Sequence, residues 1–327
     1  MNATRTEDAT NTRFDVVSLG EPMYEFSQIP GKAREYLQGF GGDTMNCAVA
    51  AARQGARVAY VSRIGDDEFG RQFLKLWERE GIDASSVRID VSAHTAVYFI
   101  SHTAHGHAFS YLRKNSAASR LRRDELPADV LRGTRFFYSS GITEAISPGA
   151  CDAVFAAIDI ARGAGAQIVF DANVRPVLWS VARAREIIAK TIPLTDYFLL
   201  SLEDAELLIG SLDPDTIFDW CNDAGAHVVI LKLGARGAIS SQRSVRRTVG
   251  GCVVKAVDAT AAGDCFAGAL MARLSRDDDL HSAITYANAA AALTCMGFGA
   301  VDPLPYPKSV LDLIENPGAR PLTVGRV

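Results

Sequence analysis

Along this chain, short runs of apolar and β-branched residues alternate with stretches whose apolar residues recur every three or four positions. The runs are FDVVSLG (14–20), VAYVS (58–62), RFFYSS (135–140), AQIVFDA (166–172), DYFLLS (196–201) and HVVILKLG (227–234). Apolar runs of this length, bounded by turn residues, read as strands buried on both faces. Helical patterns lie near 44–54, 69–80, 149–163, 182–190, 203–209 and 214–224. The alternation predicts an α/β protein, a three-layer α/β/α arrangement around a mostly parallel central sheet. Ligands on such sheets bind at the carboxyl ends of the strands.

Two stretches depart from the alternation, 21–42 and 94–113, the second patterned as a hairpin with its turn near His105–His107. They predict a small β-sheet attached to the main domain as a lid. The organisation that follows is a polar, disordered tail over 1–13, one domain over 14–315 with lid segments at about 21–42 and 94–113, and a C-terminal tail over 316–327.

Composition narrows the function. The 327 residues are 48% hydrophobic with a net charge of −4, enough for a large core and no reason to expect nucleic acid or an anionic membrane as partner. The basic run SRLRRDEL (119–126) is local and reads as a solvated helix start. Six scattered cysteines without a C-x-x-C pair suit a reducing, cytoplasmic setting. The first thirteen residues lack the apolar centre of a signal peptide, and no apolar run reaches eighteen residues.

The candidate chemistry sits where glycine and small residues meet helix starts. VDATAAGDCFAGALMARL (257–274) places Ala261, Ala262 and Gly263 ahead of Asp264 and a helical pattern from Asp264 to Leu274. Unpaired N–H groups and the helix dipole make such a start an anion hole, over 261–264. Asp264 is then an N-cap, a general base beside the hole, or both. A second site, GFGGDTMN, puts Gly41 and Gly42 before an alanine-rich helix that Asp43 or Thr44 would cap, with Asn46 in its first turn. Such a turn suits sugar hydroxyls.

The pair GGDTMN…RIGDDEFG and VDATAAGDCFAGAL resembles the two signature regions of the ribokinase-like (PfkB) carbohydrate kinases, in order and spacing, from about Phe14 to Leu313. GFGGDTMN, YLRKNSAAS, FDANVRPVLW and GFGAVDPLP are most similar to the branch that phosphorylates 2-dehydro-3-deoxygluconate, an acidic sugar. The resemblance implies ATP as phosphoryl donor, Mg²⁺ held mostly through water, and Asp264 as base toward the terminal hydroxyl of the sugar. It places Tyr98, Tyr111 and Arg113 around the sugar acid, with Arg175 between sugar and phosphates. It puts Asn173, Ser201 and Asn288 with the nucleotide. Two departures stand out: the family's usual G-A-G-D is A-A-G-D here, and its metal-associated N-x-x-E aligns with SLED, Ser201 to Asp204.

Arg113 follows the lid hairpin and Arg175 follows the strand ending at Asp171, so both reach toward one cleft. A guanidinium binds a carboxylate bidentately, which favours an acid as substrate. Lys232, Gly234 and Gly237 in LKLGARGAIS form a strand-to-turn edge on the nucleotide side. His102, His105 and His107 have the density of a zinc site, but their turn position and the want of a fourth ligand argue for none. Alternatives are a kinase of fructose, ribose or 5-dehydro-2-deoxygluconate, and a sugar-sensing protein without turnover. A nicotinamide-dependent oxidoreductase is disfavoured, because no G-x-G-x-x-G follows the first strand. The lid's apolar pattern predicts a homodimer.

Overall fold

A computed structural model of the chain describes residues 13–316 apart from 30, 33, 104 and 105; the side chains of 102, 103, 106 and 107 also lie outside the description. The two expected tails therefore fall almost entirely outside the described residues, and so does the expected histidine cluster. The chain opens with β1 (Phe14–Leu19), β2 (Met23–Gln28), β3 (Tyr36–Gly41), α1 (Asp43–Arg53), β4 (Val58–Val61), β5 (Arg63–Gly65) and α2 (Glu68–Arg79). There follow β6 (Arg88–Asp90), β7 (Ala96–Thr103), β8 (Gly106–Leu112), α3 (Ala128–Arg132), β9 (Thr134–Ser140), α4 (Gly141–Ile146), α5 (Pro148–Gly163) and β10 (Gln167–Asp171). The rest comprises α6 (Val181–Thr191), β11 (Tyr197–Ser201), α7 (Leu202–Ile209), α8 (Pro214–Asp223), β12 (Val228–Lys232), β13 (Ala238–Gln242) and β14 (Val245–Val249). Three helices close it: α9 (Ala262–Leu274), α10 (Leu280–Thr294) and α11 (Pro307–Glu315).

The main sheet has eight strands in the order β14-β13-β12-β11-β10-β9-β1-β4. The six from β12 to β4 run parallel, and β13 and β14 add an antiparallel edge. Period two divides each strand between two cores. Val16, Tyr138, Val169 and Ile230 pack under α1, α2, α9, α10 and α11. Val17, Phe137, Ile168 and Leu231 pack under α3, α5, α6, α7 and α8. The expected three-layer architecture is thus present, with both faces of the sheet covered. The run 119–126 is not an α-helix start: it forms two 3₁₀ turns, at 118–120 and 123–125.

The lid is a separate four-stranded sheet, β3-β2-β7-β8. One face carries Tyr24 and Phe40, which meet Phe69 and Phe73 of α2 at ring separations of 4.9 and 5.2 Å. This aromatic seam fixes the lid to the main domain. Two helices point their N-termini at the carboxyl ends of the strands, α1 after β3 and α9 late in the chain. They pack closely because Gly268 presents bare backbone; a Cβ there would overlap the Cys47 carbonyl and come within 2.8 Å of the Ala50 Cβ. Among the described residues no helix is long and apolar enough to cross a membrane.

Candidate active site

Asp264 occupies the first turn of α9, but it is not the cap. The N-cap is Ala261, with left-handed backbone (φ 60°, ψ 9°) and no side-chain cap bond. The capping reading of Asp264 is therefore corrected: its carboxylate is free of the helix end and instead accepts a 2.8 Å hydrogen bond from Asn46 Nδ2. Ala261 carries a Cβ in a region that favours glycine, at the position where the related motif usually has one. The anion hole is also narrower than expected. The Ala262 N–H donates to the Ala259 carbonyl at 3.2 Å, leaving Gly263 and Asp264 as helix-start amides without a backbone partner among the described residues.

A cation completes this hole. A Cβ on Gly263 would meet only Lys232 Nζ, at 3.3 Å. Two free amides, the helix dipole and an ammonium thus converge where the backbone is bare, which suits a phosphate. Lys232 is 16% exposed and sits 2.5 Å from Asp171, the last residue of β10. Burial alone would lower the lysine's pKa; the charges of Asp171 and Asp204 outweigh it and raise it, so the ammonium stays protonated. Burial likewise holds the Asp171 carboxyl up against the pull of Lys232. For Asp264, burial and then the charge of Asp43 push the carboxyl up to about 7, against the opposing Asn46 bond and Lys232. A carboxyl near neutrality is suited to accept a proton.

The glycine turn builds the other wall. Gly42 is the N-cap of α1 with φ 100°, and neither Asp43 nor Thr44 caps the helix, contrary to expectation. Asp43 instead accepts from Asn173 Nδ2 at 3.0 Å, and the Thr44 hydroxyl pairs with Tyr60 at 3.0 Å. A Cβ on Gly41 would overlap the Tyr98 hydroxyl, and one on Gly42 would overlap the Glu21 carbonyl. Tyr98 stacks on Tyr111, ring centroids 6.1 Å apart, and donates its hydroxyl to Glu25. Burial pushes Glu25 up to about 7, against the Tyr98 hydrogen bond. Arg113 Nη2 lies 2.5 Å from Glu21 Oε2. Arg175 is exposed, and its Nη1 donates to the neighbouring Val174 carbonyl at 2.9 Å.

The residues expected to meet the nucleotide have structural work. Ser201 and Asp204 form a reciprocal capping box at the start of α7, and Asp204 Oδ1 also accepts from the Val174 amide at 2.8 Å. Asn288 Nδ2 bonds the Val249 and Gly250 carbonyls at 3.4 and 3.3 Å. Gly237 (φ 92°) lies flat against the backbone of 249–251, whereas Gly234 (φ 59°) faces open space. Sequence reasoning missed Glu21, Glu25 and the pairing of Asp171. It also missed Asp258, which accepts from the Thr260 amide at 2.9 Å and the Gly299 amide at 3.0 Å and so braces the loop into α9. The available signal was position, since Glu21 and Asp171 stand at the carboxyl ends of β1 and β10. Among the described residues no group of three His, Cys, Asp or Glu is arranged to hold a metal.

The comparisons agree with this geometry. A family model described as pfkB family carbohydrate kinase matches residues 13–307. The chain is similar to a 2-dehydro-3-deoxygluconokinase of Thermoproteus tenax, 31% identical over 94% of this chain and 97% of the relative. It is as similar to fructokinase-1 of Oryza sativa subsp. japonica, 33% identical over 92% and 98%. Its fold matches a putative ribokinase II from E. coli in complex with ATP and Mg²⁺, with a TM-score of 0.84 and 25% identity over 92% of this chain and 99% of that one. With the main sheet, the separate lid and an acid in the first turn of α9 in place, this chain belongs to the pfkB family of carbohydrate kinases, with a ribokinase-like fold.

Proposed function

We propose that this kinase transfers the γ-phosphoryl group of ATP to the terminal hydroxyl of 2-dehydro-3-deoxy-D-gluconate, releasing ADP and the 6-phosphate. The observation that carries the chemistry is the Asp264 carboxylate, held by Asn46 in the first turn of α9 while Lys232 lies against Gly263. Asp264 takes the hydroxyl proton as the oxygen bonds to the γ-phosphorus and the bond to the β-phosphate oxygen breaks. The amides of Gly263 and Asp264, with the Lys232 ammonium, stabilise charge on the group in transfer. Gly41, Gly42, Asp43 and Tyr98 shape the sugar side, and the lid excludes water from the reacting oxygen.

The donor set would suit Mg²⁺ bound chiefly by phosphates and water, since Asp171 Oδ1 is an unpaired carboxylate oxygen beside Lys232 and the described residues offer no three-ligand cluster. Such an ion supplies charge neutralisation on the phosphates. The acid in the substrate is supported by Arg113 and by Arg175, whose guanidinium makes no ion pair among the described residues. One observation favours a second reading, a neutral ketose such as fructose: the charge of Arg113 is already balanced by Glu21. A panel of sugars with ATP, read by ADP release, separates the two. The expected result is highest kcat/KM for 2-dehydro-3-deoxygluconate over fructose, ribose and 5-dehydro-2-deoxygluconate. Preference for fructose replaces the substrate and keeps the reaction. Absence of ADP release with every sugar tested would leave a binding protein without turnover.

A further inference from the structure

The Arg113–Glu21 pair joins two parts of the molecule. Glu21 stands between β1 and β2 at the carboxyl end of the main sheet, 1% exposed, and Arg113 follows the last lid strand, 12% exposed. The Ser116 hydroxyl donates to Glu21 Oε1 at 2.5 Å, which fixes the carboxylate from its other side. The contact between Arg113 Nη2 and Glu21 Oε2 is close in distance but out of hydrogen-bond alignment. The fork that a guanidinium presents to a carboxylate is therefore unused. Nε and Nη1 have no hydrogen-bond partner among the described residues, and Tyr111 lies beside the guanidinium, 5.9 Å from its carbon to the ring centroid.

We propose that Glu21 is a specificity-determining residue that acts through Arg113, setting the net charge the sugar cleft shows to an incoming carboxylate. The effect rests on the assignment of Arg113 to the sugar site and is electrostatic. A lone guanidinium in a partly closed cleft attracts any anion, including free phosphate and the phosphates of ATP. A buried carboxylate beside it cancels that charge at a distance. It leaves selection to the geometry of the remaining N–H donors, which a sugar acid seated by its hydroxyls can meet. The cost is repulsion between the two carboxylates that share one guanidinium. Glu21 thus lowers the preference for acids in exchange for rejecting unspecific anions.

The test compares 2-dehydro-3-deoxygluconate with 3-deoxyfructose, the same carbon chain with a hydroxymethyl group in place of the carboxylate. Glu21→Gln keeps the shape and the bond from Ser116 and removes the charge. The ratio of kcat/KM, acid over neutral, is expected to rise about tenfold, the scale of one charge-assisted contact. Inhibition by inorganic phosphate competitive with the sugar is expected to tighten in parallel. In an Arg113→Met background the same substitution should leave the ratio unchanged, because the charge it unmasks is gone. A purely structural role would lower both substrates alike, and a ratio that stays or falls overturns the proposal. If Glu21→Gln does not fold, Glu21→Asp, which withdraws the carboxylate by one methylene, must move the ratio the same way by a smaller factor. The proposal fails there too if it does not. A wild-type preference for the neutral ketose would overturn the substrate reading, whereas the shift of the ratio judges Glu21 in either case.

Discussion

Asp264 is held between two demands. Burial and the nearby Asp43 push its carboxyl up to about 7, while the Asn46 bond keeps it pointed and partly ionised. Asp264→Asn preserves shape and removes the base, so turnover should drop by about 10²–10⁴ with the fold intact. In the wild type, kcat/KM should fall as pH drops below about 7, since the protonated acid cannot accept the hydroxyl proton; the residual rate of the variant should lack that limb. Stability carries the opposite sign. Between its ordinary value of 3.8 and about 7, the folded state retains a proton that the unfolded chain has released. Stability therefore declines as pH rises through that window. Denaturant titrations should find Asp264→Asn more stable than wild type above neutrality, with the gap closing below the ordinary carboxylate range; an equal gap at both ends would refute the burial argument. This residue was legible in the sequence because its signal is local, small residues leading into a helix. Its partner was not, since Asn46 lies 218 residues away. Tyr98 with Glu25 and Lys232 with Asp171 are separated by 73 and 61 residues. No period or spacing joins such pairs; only the strand order does.

At the scale of elements, the site depends on two helix starts held at fixed distance. α1 carries Asn46 and α9 carries Asp264, and Gly268 sets their approach. In Gly268→Ala the new methyl overlaps the Cys47 carbonyl and lies 2.8 Å from the Ala50 Cβ. Both obstacles belong to helix backbone or its first carbon, so α9 must shift as a body. Overpacking of this kind costs about 1–3 kcal/mol, and the shift should stretch the Asn46–Asp264 bond. The variant should lose kcat as well as thermal stability although residue 268 touches no substrate. Wild-type turnover in a destabilised Gly268→Ala would show that the two starts are positioned from elsewhere. The buried elements were readable because both faces of the parallel strands are apolar; each expected strand lies within a residue or two of its place. The edge strand β14, VRRTV, was not recognised, because four of its five residues are exposed and its composition is that of a loop. The helix starts were misplaced for a related reason. Gly42 and Ala261 cap with positive φ and no side-chain bond, so the polar residues that normally mark an N-cap stood inside the helix.

For the whole molecule, the lid has one face spoken for and one not. Tyr24, Phe40 and their neighbours bind it to α2. The register places Leu37 opposite Ser27, Ser27 opposite Ile100 and Ile100 opposite Phe109, with Tyr111 beside Tyr98. These residues share the other face, the one that carries Glu25 and Tyr98 toward the cleft. There Leu37 is 56% exposed, Phe109 48% and Tyr111 38%. Leu37 lies on one edge strand and Phe109 and Tyr111 on the other, with Ile100 buried and Ser27 half-buried between them, so large apolar side chains stand in water at both edges of this face. The homodimer expected from the lid's apolar pattern would cover this face, lid against lid, and would stiffen the wall of the proposed sugar cleft. Sedimentation should then give a dimer at micromolar concentration. Leu37→Glu with Phe109→Glu should give a folded monomer with a raised KM for the sugar and little change in the KM for ATP, since Gly234 and Asn288, expected at the nucleotide, lie on the main domain. A wild-type monomer at that concentration, or a charged double variant that remains dimeric, would place the contact elsewhere on the surface.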